Sequence, residues 1–278
     1  MHIIVCVKQV PNTQAITIDP VTHTLVREGV ESIVNPYDAY ALEAAARLQD
    51  KDAGIKIHVL TMGPPQAEAV LRECLSLSAD AAWLVTDRHF GGSDTLATSY
   101  VLSEAIKKIE TEEGIKFDMV FCGKQAIDGD TAQVGPQIAE RLDLPQITHG
   151  LTCELVESEL HVLRETDEGK EIVAVLLPCL VTFTKPDFEP RFPSVKRRSA
   201  ARKMNIRAFG IDDFPDIDRL QVGLKGSPTQ VKRTFVPELK AKGTIFRDME
   251  EQDAARQLAR LLVENEIIIK RGSSPTLT

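Results

Sequence analysis

The chain has 278 residues, 43% of them hydrophobic, and so can bury a real core as one large domain or a medium one with appendages. A formal net charge of -8 and an isoelectric point near 5.4 argue against nonspecific nucleic-acid binding, because phosphate-tracking proteins carry a basic surface. No apolar run nears the about 18 residues of a membrane helix and no signal segment precedes the first apolar run, so the expectation is a cytoplasmic protein, not a membrane one.

The first half alternates short apolar runs with helical patterns, as parallel strand and helix units do. His2 to Val7 opens the series. After a polar excursion, Asn35 reads as an N-cap, Pro36 as the first helical residue, and Asp38 as an acid suited to the positive helix start. Tyr37, Ala41, Ala44, Ala45 and Leu48 then share one face, and Gly54 ends the helix. Ile57 to Thr61, Ala81 to Thr86 and Phe117 to Cys122 read as further buried strands, separated by helices around Ala67 to Leu75 and Thr95 to Ile109. From Leu151 the pattern becomes alternating: Leu160, Val162 and Leu163, a turn at Asp167-Glu168-Gly169, then Ile172 to Leu177, which predicts an antiparallel hairpin. Cys179 to Thr184 returns to the sheet. Beyond Lys185 the chain is proline-rich and then basic, residues 210–245 are loop-like, and Glu250 to Glu264 is an amphipathic helix. The predicted fold is α/β: an open twisted, mostly parallel sheet with helices on both faces, plus an antiparallel hairpin. Residues 1–208 form its nucleotide-binding domain, and residues 209–278 form an extended C-terminal arm with little core of its own.

In such sheets ligands sit beyond the carboxyl ends of the strands, where the strand order reverses. Four loops fall there: Cys6 to Val10, Met62-Gly63-Pro64, Phe90 to Thr95, and Gly123 to Val134. The last is the most informative stretch of the chain, Gly123-Lys124-Gln125-Ala126-Ile127-Asp128-Gly129-Asp130-Thr131-Ala132-Gln133-Val134. It joins a buried strand to a helix start, where backbone N–H groups hold phosphate. Its glycines let a ligand approach the backbone, Asp128 and Asp130 suit a helix cap or a ribose hydroxyl, and Lys124 offsets phosphate charge. By composition alone an ordinary strand-to-helix turn reads the same way. Phe90-Gly91-Gly92-Ser93-Asp94-Thr95-Leu96-Ala97-Thr98 is a second phosphate-loop candidate, equally readable as a glycine-rich loop capped by Asp94. Neither G-x-G-x-x-G in the first turn nor G-x-x-x-x-G-K anywhere is present, so any nucleotide is held in another way. The six histidines lack Ser/Asp or Cys pairing, which gives a hydrolytic triad no support. Five cysteines without C-x-x-C spacing suggest neither disulfides nor a metal site, and Cys6 and Cys122 read as buried thiols.

The Gly123 to Val134 string closely resembles the nucleotide-binding signature of electron-transfer flavoprotein beta subunits. Val5-Cys6-Val7-Lys8-Gln9-Val10-Pro11, the Asn35-Pro36-Tyr37-Asp38 block with Glu43 and Ala44 behind it, Met62-Gly63-Pro64, and Glu189-Pro190-Arg191-Phe192-Pro193-Ser194 resemble that family's blocks in order. Together they cover about residues 1–250. The resemblance implies a Rossmann-type sheet of the adenine nucleotide alpha hydrolase kind. It also implies a nucleotide held by Cys6, Val7, Lys8, Asn35, Asp38, Met62 and the whole run from Gly123 to Val134. Some members bind AMP here and pass electrons through the flavin of the alpha subunit; others place a second FAD here. Gly91, Gly92, Asp94, Thr95 and Thr98, with Ala126 to Thr131 and Leu224-Lys225-Gly226-Ser227-Pro228-Thr229, resemble the second, electron-bifurcating group.

That likeness implies FAD in this subunit, NADH as electron donor, and a heterodimer with an alpha subunit carrying a second FAD. One electron would pass to ferredoxin or flavodoxin and the other to an acyl-CoA dehydrogenase-type flavoenzyme. A one-flavin carrier with AMP and a nucleotide-binding module without redox work are the alternatives. Lys196, Arg197, Arg198, Arg202, Lys203 and Arg207 read as a solvated helix face by charge alone. By resemblance they lie where the family docks on its dehydrogenase, with Val195 as apolar anchor and Arg197 and Arg198 beside it. The chain departs from the family there, carrying Lys196-Arg197-Arg198-Ser199-Ala200 where an Ile-Met-Lys-Ala run is common.

Overall fold

A computed structural model describes residues 1–12, 17–18, 25–26, 32–230, 243, 245–247 and 249–268. The chain divides into two compact units, Met1–Thr234 and Phe235–Thr278. In the first, β1 (His2–Cys6) leads to a short antiparallel ribbon, β2 (Gln9–Pro11) against β5 (Ser32–Val34), with β3 (Thr17–Ile18) and β4 (Leu25–Val26) paired between them. There follow α1 (Pro36–Lys51), β6 (Lys56–Met62), α2 (Glu68–Leu77), β7 (Ala81–Val85), α3 (Thr95–Glu113), β8 (Met119–Gly123) and α4 (Val134–Arg141). Three long strands come next, β9 (Gln146–Val156), β10 (Glu159–Thr166) and β11 (Gly169–Leu176), then β12 (Cys179–Phe183), α5 (Val195–Ala201) and β13 (Arg207–Phe209).

These strands form one nine-stranded sheet in the order β11-β10-β9-β12-β8-β1-β6-β7-β13. From β9 to β13 every pairing is parallel, while β9, β10 and β11 pair antiparallel at the other end. The central strands are apolar on both faces because helices cover both. Ile3, Val5, Val59, Met119, Phe121 and Val181 pack towards α1 and α2, and Ile4, Leu60, Val120 and Leu180 towards α3 and α4. Ala41, Ala44, Ala45 and Ala46 are buried on α1, and such small side chains let this helix lie close over the middle of the sheet.

The sheet and its helices follow the hydrophobic pattern closely, with four differences. Helix α1 ends at Lys51, and Gly54 lies in the turn beyond its C-cap Asp52, whose side chain takes the Gly54 amide at 2.8 Å. The predicted hairpin is a three-strand meander that begins at Gln146, because the first part of β9 lies against β12 with Ile147 buried and shows no alternation to read. Helix α1 is buried more broadly than one face, taking in Asp38, Tyr40, Leu42 and Glu43. Residues 209–227 are no arm, since β13 extends the sheet beyond β7 and Phe209, Ile211, Phe214, Ile217 and Val222 are buried with Phe90 and Trp83. Sparse turns hid this, as no periodic element follows β13. In the second unit, α6 (Glu251–Glu264) is amphipathic in sequence and none of its residues is buried, Leu258 being 50% exposed.

Two blocks far apart in sequence meet on α1. Glu43, buried, accepts from Arg191 Nε at 2.8 Å, from the Arg191 amide at 3.2 Å and from Arg47 Nε at 3.0 Å, and Arg191 reaches on to Asp50 at 2.7 Å. Burial raises the Glu43 carboxyl, but the bonds from Arg191 and Arg47 outweigh it and hold the group below its ordinary value. Arg47 in turn lies over the Phe188 ring, 3.4 Å from its centroid. The segment from Phe188 to Arg191 is thereby fastened to α1. Glu43→Gln should cost about 1.5–3 kcal/mol in denaturant titration, the worth of bonds to a charged partner. Because the folded value is depressed, that difference should be complete at neutral pH and disappear as pH falls below the ordinary glutamate value of 4.5.

Candidate functional site at the strand-order switch

From β1 the chain moves through β6 to β7 on one side and then returns to β8 on the other, so the order reverses between β1 and β8. A crevice opens between the carboxyl ends of two such strands, and ligands of open α/β sheets sit there. Asp38, in the first turn of α1, spans this crevice. Its Oδ2 accepts the Lys8 amide at 2.7 Å after β1, and its Oδ1 accepts the Gly123 amide at 3.1 Å at the end of β8. Burial, the largest influence, pushes the Asp38 carboxyl up to about 7, against the bonds from Asn35 and from the Lys8 and Gly123 amides, which pull it down. A Cβ at position 123 would stand 2.3 Å from Asp38 Oδ1 and 2.7 Å from the Tyr37 carbonyl carbon, so only glycine admits this approach.

Asn35 begins α1 as predicted, but its side chain makes no cap bond. It reaches across to the loop after β8 instead, donating from Nδ2 to the Gln125 carbonyl at 2.8 Å and accepting the Ile127 amide on Oδ1 at 3.1 Å. The β2–β5 ribbon makes this possible by returning the excursion to its starting point, where the Asn35 amide donates to the Lys8 carbonyl at 2.9 Å. Loop 124–133 is then held along its length. Lys124 donates its amide to the Phe183 carbonyl at 2.8 Å and sets its ammonium over the Tyr37 ring, 5.2 Å from the centroid. Gln125 Nε2 bonds Asp130 at 2.7 Å, Lys8 Nζ pairs with Asp128 at 2.7 Å, and the Thr95 hydroxyl donates to Gln133 at 2.9 Å. Asp130 and Ala132 take φ of 51° and 53°, the left-handed region, which turns the loop back towards α4. Helix α4 starts at Val134 with no side-chain cap, so its first free amide groups remain open to an anion.

A second cradle lies beside it. Asp94 caps α3 through the Leu96 and Ala97 amides at 3.0 and 3.1 Å, and its other oxygen accepts the Thr229 amide at 3.0 Å. Ser227 accepts the Asp94 amide at 2.8 Å and donates to the Gly223 carbonyl at 2.7 Å. The Gly91-Gly92 turn and the Leu224 to Thr229 loop are thus one structure, with Gly92 at φ 74° and Gly223 at φ 60°. Thr98 follows in the first turn of α3, its amide on the Asp94 carbonyl, and Met62 ends β6 half-buried beside the core of that face. Val7 is buried, its amide on the Leu60 carbonyl at 2.8 Å, and Cys6 stands directly opposite Cys122 across the β1–β8 pair.

Lys8, Asn35, Asp38, Thr95 and loop 123–133 therefore form one connected network, while Gly91, Gly92 and Asp94 join residues 223–229. Asn35 and Asp38 spend their polar atoms on the scaffold. Sequence reasoning passed over Gly223 and the part that Glu43 and Arg191 play together; a glycine directly before the Leu224 loop was the one available signal. Val195 opens α5 and is 88% exposed, next to Phe192 at 94%, a second apolar side chain that the reading of the basic run left out. Arg197 is half-buried and donates to the Ala79 carbonyl at 3.2 Å, so it also anchors α5; Arg198 is exposed. Among the described residues no helix is long and apolar enough to cross a membrane, and no three His, Cys, Asp or Glu side chains gather as metal ligands would.

Asp38→Ala should lower stability by about 1–3 kcal/mol for each amide it orphans. Because the folded value lies above the ordinary 3.8, the stability of wild type relative to Asp38→Asn should fall as pH rises from 3.8 to about 7 and then level off, read by denaturant titration across that range.

Residues 22–213 match the model of the electron transfer flavoprotein domain. The chain is 46% identical to the electron transfer flavoprotein subunit beta of Megasphaera elsdenii, over 96% of this chain and 100% of that protein. It is 45% identical to the caffeyl-CoA reductase-Etf complex subunit CarD of Acetobacterium woodii, over 96% of this chain and 100% of the other. With protein FixA of Azotobacter vinelandii it shares 43% identity, over 95% of this chain and 96% of the relative. A family domain across most of the sheet and relatives matched end to end agree with the switch-point geometry, and the chain belongs to the electron transfer flavoprotein family, among its beta subunits.

Proposed function

We propose that this chain holds FAD on the rim formed by loops 6–8, 91–98, 123–134 and 224–229, and that in a heterodimer with an alpha subunit it takes electrons from NADH. The observation that carries the FAD reading is the fusion of the Gly91-Gly92 turn with residues 223–229 through Asp94 and Ser227, a second cradle beside the switch-point loop. AMP needs only the first cradle; a dinucleotide flavin extends beyond its diphosphate and needs room for the rest. The rim fits such a group: uncapped amides at α4 and the Lys8 and Lys124 ammonium groups favour diphosphate, and Asp128 and Thr131 suit hydroxyls. When bound, the flavin supplies acceptance of hydride from NADH and release of electrons one at a time. The protein residues bind and orient. Asp38 and Asn35 keep the loops after β1 and β8 at fixed separation, so the ligand meets a preformed site.

One electron passes to ferredoxin or flavodoxin and the other, through the alpha-subunit FAD, to an acyl-CoA dehydrogenase-type flavoenzyme. The relative named as part of a complex with caffeyl-CoA reductase supports a CoA-thioester enzyme as that partner. Phe192 and Val195, exposed together on a segment clamped to α1, support docking there, and the bare apolar face of α6 supports an arm stabilised by the alpha subunit.

Cofactor extraction from the co-expressed heterodimer tests the reading: two FAD per heterodimer is expected, whereas one FAD with AMP would establish the simple carrier instead. Asp128→Ala should lose nucleotide on dialysis, having given up both its ligand contact and its pair with Lys8; full retention would remove Asp128 from the site. Val195→Ala should slow electron delivery to the dehydrogenase by about tenfold, the scale of a lost anchor, while NADH still reduces the bound flavin. Arg198→Ala should change mainly the salt dependence of that delivery, measured by stopped flow over a range of ionic strength.

A further inference from the structure

We infer that the ion pair between Lys8 and Asp128 closes the empty rim and must part before a nucleotide enters, a self-closing contact that rests on the proposed nucleotide site. The pair ties the loop after β1 to the loop after β8, between residues 120 positions apart in sequence. Lys8 Nζ lies 2.7 Å from one carboxylate oxygen of Asp128 and 3.0 Å from the other. Among the described residues Lys8 pairs with no other acid and Asp128 with no other base. These are the ammonium that would meet a diphosphate and the carboxylate that would meet a hydroxyl. In the empty site each is engaged with the other, so neither reaches a ligand until the pair opens.

What lies beneath the pair is fixed. The Lys8 amide donates to Asp38 Oδ2 at 2.7 Å, and the Lys8 carbonyl accepts the Asn35 amide at 2.9 Å. Asn35 Oδ1 in turn accepts the amide of Ile127, the residue before Asp128, at 3.1 Å. Asp128 stands at the tip of a tight turn in which the Gly129 and Asp130 amides both donate to the Ala126 carbonyl, at 3.2 and 2.9 Å. The neighbouring charges are engaged elsewhere, Lys124 over the Tyr37 ring and Asp130 with Gln125. Opening therefore needs only rotation of two side chains, a fast motion, while the frame keeps its shape. The side chains of Lys8 and Asp128 are 49% and 30% exposed, so water and salt reach the pair and its strength is that of a surface ion pair. Such a contact keeps most empty molecules closed, and uptake is slowed by the fraction that is open.

Stopped-flow uptake of FAD and, separately, of the fluorescent etheno analogue of AMP by the heterodimer stripped of nucleotide tests the closure. Lys8→Met combined with Asp128→Asn removes one charge of each sign, so the net charge that attracts an anionic nucleotide stays as it was. At low ionic strength this double variant should take up nucleotide about two- to fivefold faster than wild type, the scale of one exposed ion pair, and the two rates should converge as salt is added. Lys8→Arg, which keeps the pair, should stay at the wild-type rate. Equal or slower uptake by the double variant, or a ratio that salt leaves unchanged, would overturn the closure alone, because wild type still takes up nucleotide. A wild-type heterodimer that takes up neither FAD nor the AMP analogue would overturn the nucleotide site together with the closure, which separates the two failures.

Discussion

The site depends on one carboxyl group. The loops that leave two paired parallel strands in opposite directions at a switch point have no ladder bond between them, and something must fix their separation before either has a shape. Asp38 does so by accepting one amide from each side, and Gly123 makes room for it. Asn35 repeats the device one layer further out, between α1 and the middle of loop 124–133. Both come from the first turn of a helix whose alanines let it lie close on the sheet, so the accuracy of the rim descends from core packing.

Much of the fold was legible because it rests on hydrophobic patterning. The buried strands announce themselves as apolar runs, Asn35-Pro36 marks a helix start, and Gly123 to Val134 marks the loop that follows a strand. What escaped was decided by contacts across the chain. No local signal separates an asparagine that caps its own helix from one that bridges to residues 125 and 127. The burial of Phe209, Phe214 and Val222 depends on an edge strand, β13, of only three residues, too short to show a period. Glu43 and Arg191 stood out as parts of two separate blocks, and only the folded chain joins them.

That junction gives α1 two duties. Its first turn organises the rim and its middle holds the segment bearing Phe192 and Val195, so one rigid element carries both the ligand loops and the exposed apolar pair. A helix of 16 residues packed on the central strands transmits position with little play. The separation between the rim and an object seated on Phe192 and Val195 is therefore a property of the domain. Electron transfer across such a span would need no adjustment of this unit.

The two thiols at the strand ends take on meaning from where they lie. Cys6 and Cys122 face one another under the rim, and the Cys122 thiol is raised well above its ordinary range, first by its bond with Cys6 and then by burial. Thiolate is the form that attacks, oxidises and binds soft metals, and here it is suppressed. A buried Cys122 thiol that stays protonated is chemically quiet. If the rim holds the proposed flavin, a protonated Cys122 beneath it offers no thiolate to compete for its electrons.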